Sequence, residues 1–351
     1  MSAVDPAARV VLHVGPMKSG TTYLQSLLYG NRAILAEAAV LASVSVAGPT
    51  PGLLDLRARS THTERSDRLV ARVRSHRGVS VLSHEFLSWA TTEQASAVVA
   101  ALGVPVQVVF TVRDARTLPA SMWQTAARNV PVEPWPDFAR ELAAGPSPAR
   151  RFFRRRHGLA GMLRTWTGAV GGADRVAVVT VPPRAAGEME LWRRFTIAGA
   201  LGDPEGLRSA GLRNESLGYP SAEVVRQVVR LLGRVEGRER RLIRQVLCRE
   251  VLAARLDREP RVPTDAAVVA FGARWNAVTR KAIRELKVPV VGDPSSDLGT
   301  DPDASFVTGP LGPPDPAEVE AARGHALEGL ARVEGAELLL DALAAMERPA
   351  R

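Results

Sequence analysis

Short, almost wholly apolar runs alternate along this chain with stretches whose apolar positions recur at helical spacing. Val10-Val11-Leu12-His13-Val14 is brief and rich in β-branched residues, which predicts a buried strand rather than an amphipathic helix. Residues 78–83, 106–112 and 175–180 repeat the pattern, and 288–291 gives a shorter version. Between them, residues 23–29 carry Leu24, Leu27 and Leu28 on one helical side, and 188–198 place Leu191, Trp192 and Phe195 likewise. Helices are also expected over 93–102 and 117–128. Strands alternating with helices predict parallel pairing through crossover connections. The expected fold is therefore a three-layer α/β, P-loop-like arrangement, a central parallel sheet flanked by helices.

Later segments are more helical. Residues 221–286 are predominantly helical, with arginine-rich and Val/Leu-rich faces alternating over 221–256 and a further helix over 271–286, and 318–346 are rich in alanine, leucine and glutamate, predicting a C-terminal helix. Residues 47–75, interrupted by Gly48-Pro49 and Pro51-Gly52, and residues 130–170 are expected to be helical insertions near a ligand entrance. The run 292–316, dense in Ser, Gly, Asp and Pro, reads as a long loop. The organisation expected is one α/β domain over 8–351, with no internal repeat.

Composition narrows the choices without changing this picture. The 351 residues are 46% apolar and 24% charged, an ordinary globular mixture with enough chain for a sizeable core. Cys248 is the single cysteine, so an intrachain disulfide and a multi-cysteine zinc site are both excluded, and Cys248 reads as an apolar helix residue. The formal charge of +9 is almost entirely arginine, which suits phosphate- or sulfate-bearing ligands. Its densest point, RFFRRRH at 151–157, reads as a charged helix start with Phe152 and Phe153 packed inward. No basic block interleaved with aromatics points to nucleic acid. Neither a secretory signal pattern nor an apolar run of ~18 residues is present, so the expectation is a cytoplasmic protein without a transmembrane segment.

The candidate chemistry begins where the first strand feeds the first helix. Gly15-Pro16-Met17-Lys18-Ser19-Gly20-Thr21-Thr22 bounds a turn with glycines, offers backbone amides at a helix start, and adds the ammonium of Lys18 and the hydroxyls of Ser19, Thr21 and Thr22. Such a loop can hold anionic oxygens. Lysine is otherwise found only at 281 and 287. Arg113-Asp114 follows the strand at 106–112: Arg113 can grip a phosphate bidentately, Asp114 can cap the next helix or orient Arg113, and Ser121 lies eight residues beyond Arg113. His84 and Glu85 follow the strand at 78–83. Because ligands of parallel sheets gather at the carboxyl ends of the strands, Lys18, His84, Glu85 and Arg113 are expected in one pocket.

The loop resembles an NTPase phosphate loop incompletely, since a Walker A motif carries its lysine immediately before the final Ser or Thr. PMKSGTTYL at 16–24 and VRDARTLPAS at 112–121 together resemble the sulfotransferase superfamily that uses 3'-phosphoadenosine 5'-phosphosulfate (PAPS). LHxGxxKxGTTxLQ over 12–25 and S-x-WQ over 121–124 are similar to its bacterial branch. That resemblance, over residues 10–200, implies sulfuryl transfer from PAPS, without a required metal, to a hydroxyl or amine of a small-molecule, carbohydrate or lipid acceptor. It further implies that Lys18 stabilises the leaving oxygen, that Ser19, Gly20, Thr21 and Thr22 cradle the 5'-phosphate, and that Arg113 and Ser121 bind the 3'-phosphate. Tyr23 either stacks against adenine or packs into the first helix. For the bacterial branch the resemblance implies Glu85 as the expected base toward the acceptor, with His84 as partner, orienter or alternative base. An Arg-Lys-Gly lid segment common in cytosolic members is missing; Arg280-Lys281-Ala282 sits in a predicted helix, and Arg213-Asn214-Glu215-Ser216 reads as a turn. The competing readings are a nucleotide kinase or NTPase and a non-catalytic nucleotide-binding protein.

Overall fold

The computed structural model describes residues 8–45, 48–58, 63–187, 189–202, 206–208 and 216–346. Six strands, β1 (Arg9–Gly15), β2 (Val40–Ala42), β3 (Val79–Ser83), β4 (Val106–Val112), β5 (Val176–Thr180) and β6 (Val290–Val291), form one sheet in the order β2-β3-β1-β4-β5-β6. Every neighbouring pair is parallel. Because successive side chains on a strand face opposite ways, β1 sends Val10, Leu12 and Val14 to one face and Val11 to the other. The first set joins Leu82, Val108, Phe110 and Val178 against the helices Thr92–Leu102 and Leu159–Val170, with Trp166 fully buried. Val11 joins Val81, Val109 and Val179 against the helices Thr21–Gly30 and Glu190–Gly199, where Trp192 and Phe195 fill the core. The three layers expected from the sequence are present.

The chain divides into two compact units, one of residues 1–115, 152–213 and 273–300, the other of 116–151, 214–272 and 301–351. The first holds the whole sheet. In the second, Trp123 and Trp135 pack with ring centroids 5.9 Å apart, and their indole N–H groups donate to the carbonyls of Glu133 and Pro263. Buried Glu259 accepts from the Ser221 hydroxyl at 2.8 Å and pairs with Arg255 at 2.5 Å.

Several boundaries differ from the sequence expectation for local reasons. β2 was not anticipated, because Val40-Leu41-Ala42 lies in an unpunctuated Ala-rich stretch; Ala39, at φ 55, turns the chain from the helix Arg32–Glu37 into it. The helical section after 221 breaks where Gly233 takes φ 71, then resumes as Gly237–Arg241 and a π-helical stretch Leu242–Val251. The C-terminal helix is two, Pro316–Leu330 and Glu337–Ala344, parted at Gly335 with φ 75. The helix expected from 271 begins earlier, at Ala266–Leu286, since Val268 and Val269 are already buried. Within 47–75 the described residues form a short turn Leu54–Arg57 and the helix Glu64–Ser75; residues 47 and 59–62 of that span lie outside the described residues. Residues 130–170 carry the helices Trp135–Ala144, Pro148–His157 and Leu159–Val170.

Candidate functional site

Three neighbouring strands of the first unit, β3, β1 and β4, deliver their following loops to the same edge of the sheet. β1 ends at Gly15, whose φ is 85 and at which a Cβ would stand 3.0 Å from both Cα and Cβ of Glu85. Any side chain there would push Glu85 off the loop. The turn continues through Lys18 at φ 65 and Gly20 at φ 85, and the helix Thr21–Gly30 then begins. Gly20, its N-cap, has no side chain to cap the helix, and the first turn holds no acidic residue. Its dipole and leading amides are thus left for an anion. Lys18 is half-buried, and its charge helps hold the His157 imidazole down, after burial and Arg156.

Beneath the loop, buried polar side chains form one hydrogen-bonded chain. Ser19 donates its hydroxyl to the Pro16 carbonyl and lies 2.8 Å from the Thr111 hydroxyl. His13 Nε2 lies 3.1 Å from Thr111, His13 Nδ1 lies 2.9 Å from the Ser83 hydroxyl, and Gln25 Nε2 donates to Ser83 at 3.1 Å. Counting protons fixes the direction. With its one proton given to Pro16, Ser19 must accept from Thr111; Thr111 must then accept from His13 Nε2–H, and Nδ1 accepts from Ser83. His13 is therefore the neutral Nε2–H tautomer, and full burial pushes its pKa down to about 3. The second Gln25 N–H reaches Glu85 Oε2 at 3.4 Å. The chain of bonds thus ties the loop carrying Lys18, across β4, β1 and β3, to Glu85.

His84 and Glu85 differ in surroundings. β3 stops at Ser83, and His84 caps the short turn Glu85–Trp89, its Nδ1 accepting from the Phe86 N–H at 3.3 Å. Burial first, then the charge of Arg57, pushes His84 down to about 4. Glu85 is half-buried, and its backbone carbonyl accepts from the Ser88 hydroxyl at 2.6 Å.

Arg113 is half-buried just past the end of β4. The turn after it is held by Asn276, buried to 1% exposure, which donates to the Asp114 carboxylate at 2.7 Å and to the Gly299 carbonyl at 2.8 Å and accepts from the Ala115 N–H at 2.9 Å. Asp114 thus engages an amide, and the next α-helix, Pro119–Ala127, has Leu118 as its N-cap. Thr21 is buried and Thr22 half-buried at the helix start, and the Tyr23 hydroxyl points to Met189 Sδ at 3.5 Å beside the apolar layer. Ser121 belongs to the second unit, in the helix Pro119–Ala127, where its hydroxyl donates to the Leu118 carbonyl at 3.0 Å. Arg280 and Lys281 lie within the helix Ala266–Leu286, while Arg213 to Glu215 lie outside the described residues.

The sheet edge accordingly gathers Lys18, Ser19, Gly20, Thr21, Thr22, His84, Glu85 and Arg113 onto three adjacent loops. Sequence reasoning missed Gln25, Asn276 and Arg57, and passed over His13. The signal for His13 was available: a polar residue within an otherwise apolar strand, at the parity of Val11, must find partners inside. Asn276, 162 positions from Asp114, carried no such signal.

No family model matches the chain, and no curated protein matches it. Among solved structures, a sulfotransferase from Alicyclobacillus acidocaldarius is similar, with 13% identity and a TM-score of 0.40, over 58% of this chain and 85% of that one.

Proposed function

We propose that the protein is a sulfotransferase, moving the sulfuryl group of PAPS to a hydroxyl or amine of a small-molecule, carbohydrate or lipid acceptor. The observation that carries this reading is the junction at Gly15, where the backbone leading to Lys18 lies against Glu85, with Arg113 one strand away. A cation at the leaving oxygen and a carboxylate at the acceptor are the two charges that in-line sulfuryl transfer needs. In this account the uncapped helix start at Thr21 and Thr22 holds the 5'-phosphate, and Lys18 neutralises the bridging oxygen as its bond to sulfur breaks. Arg113, its turn braced by Asn276, holds the 3'-phosphate. Glu85 takes the acceptor's proton as the new bond to sulfur forms. Gln25 orients Glu85 from the side. Tyr23, with its hydroxyl turned to Met189, serves packing in this account.

His84 is the weaker base. Its Nδ1 lone pair is spent on the Phe86 amide, its remaining nitrogen carries the proton, and burial with Arg57 makes it reluctant to take another. Glu85→Gln should therefore lower kcat about 10²–10³-fold, within the range for loss of a general base, whereas His84→Gln should lower it by less than about tenfold. Steady-state turnover of PAPS against an acceptor panel decides. A large loss confined to the His84 variant would reverse the assignment.

A further inference from the structure

The turn Glu85–Trp89 borders a cleft of about 210 Å³ in the first unit, lined by Ser88, Trp89, Arg154, Arg155, Met162 and Thr165, among others. We infer that this cleft is a subsite for an aryl anion, a compound of one or two rings carrying a carboxylate, sulfate or phosphate. Its assignment to the acceptor rests on the sulfotransferase reading; the ligand class rests on the cleft alone.

Volume, walls and charge each contribute. A space of 210 Å³ is below the usual range for a drug-sized ligand, so it suits a ring system rather than a nucleotide. Gly161, on the helix Leu159–Val170, has no atom within 4 Å of where a Cβ would stand, which keeps that wall open. Trp89 stacks on Phe86 with centroids 4.9 Å apart and an interplanar angle of 20°, and Phe86 is 37% exposed. Trp89, half-buried, lines the cleft, and an aromatic face there suits another flat ring. The Trp89 indole N–H is buried with no hydrogen-bond partner among the described residues.

The charge is uncompensated. Arg154 and Arg155 are exposed, and neither makes an ion pair among the described residues. Arg156 lies over Trp89 with its guanidinium 5.1 Å from the ring centroid. Burial, and then the charge of Arg155, pushes Arg156 down to about 10. A helix end favours some positive charge, but three consecutive arginines with no ion pair among the described residues favour an anion from outside. The cleft also neighbours the candidate chemistry along the chain. Trp89 closes the turn that Glu85 opens, the His84 and Phe86 rings lie 5.4 Å apart, and His157, next after Arg156, feels the charge of Lys18.

Calorimetric titration of the full chain with 2-naphthoate, and with the neutral isostere 2-naphthamide, tests this. Naphthoate should bind at least tenfold more tightly than the amide, and the exposed double variant Arg154→Glu/Arg155→Glu should remove that preference without altering thermal stability. Equal binding of the two probes, no binding of either, or an unchanged preference in the variant would overturn the subsite. 3'-Phosphoadenosine 5'-phosphate, titrated alongside, separates the two ideas. If it binds and naphthoate does not, the subsite falls and the sulfotransferase reading stands. If naphthoate binds and it does not, the acceptor role falls with that reading.

Discussion

Lys18→Ala is expected to lower the rate of sulfuryl transfer by about 10²–10³-fold, the loss seen when one preorganised donor to a developing negative charge is removed. The effect should fall on kcat rather than on acceptor affinity, because the charge on the bridging oxygen grows only as its bond to sulfur breaks. Folding should be nearly untouched. Lys18 is half-buried, and what its position demands of the backbone is φ 65, a left-handed conformation that alanine shares and glycine adopts without cost. Lys18→Gly therefore separates the two roles. It should be at least as stable as the parent, by up to about 1 kcal/mol, yet as inactive as the alanine variant. Thermal melting with single-turnover kinetics on both variants checks this. Activity retained within about threefold in the glycine variant would remove Lys18 from the chemistry.

Acid should unfold the protein over an unusual range. His13 and His157 are held down to about 3, mainly by burial, and His84 to about 4 by burial and Arg57. In the unfolded chain the same groups accept a proton near pH 6.5. Between that value and their folded values the unfolded state binds more protons than the native state, so stability falls as pH falls. Above about pH 6.5 none of this penalty is present. Below it each histidine costs about 1.4 kcal/mol per pH unit, or about 4 kcal/mol per unit for the three together. Melting temperatures should thus drop steeply from pH 6.5 to pH 5, before ordinary carboxylates titrate. His13→Gln should flatten that slope by about a third, while costing about 1–3 kcal/mol at neutral pH by leaving Ser83 and Thr111 poorly partnered. A melting temperature that stays flat from pH 7 to pH 5 would show that these imidazoles are solvated rather than buried.

Much of the fold was legible because it depends on local pattern. The apolar runs that became β1, β3, β4 and β5 are long enough and flanked by enough turn residues to be read alone, and their order implied a parallel sheet. β2 is three residues long in an Ala-rich stretch and is recognisable only by its pairing with β3. The breaks at Gly233 and Gly335 were present as glycines, but helical glycines elsewhere, such as Gly168 and Gly324, do not break their helices. A glycine alone therefore does not decide.

The candidate site divides along the same line. Lys18, Gly20, Glu85 and Arg113 stand next to strand ends, so topology alone gathers their loops at one edge. What distinguishes His84 from Glu85 in the fold, the backbone amide of Phe86 that occupies His84 Nδ1, carries no signal in the sequence. Asn276 and Gln25 act through contacts set by tertiary packing, and no spacing rule marks them. His13 stands between, marked as buried and polar by its strand, with partners that only the register β3-β1-β4 reveals.

In the proposed function the loop at Lys18 and the turn at Arg113 together read a nucleotide bearing both a 5'- and a 3'-phosphate. Calorimetric titration with 3'-phosphoadenosine 5'-phosphate, against 5'-AMP and ATP with magnesium, measures that most directly. The expected result is binding of the 3',5'-bisphosphate at least tenfold tighter than 5'-AMP, a preference abolished by Arg113→Ala. ATP bound more tightly than the bisphosphate, with a requirement for magnesium, would contradict it.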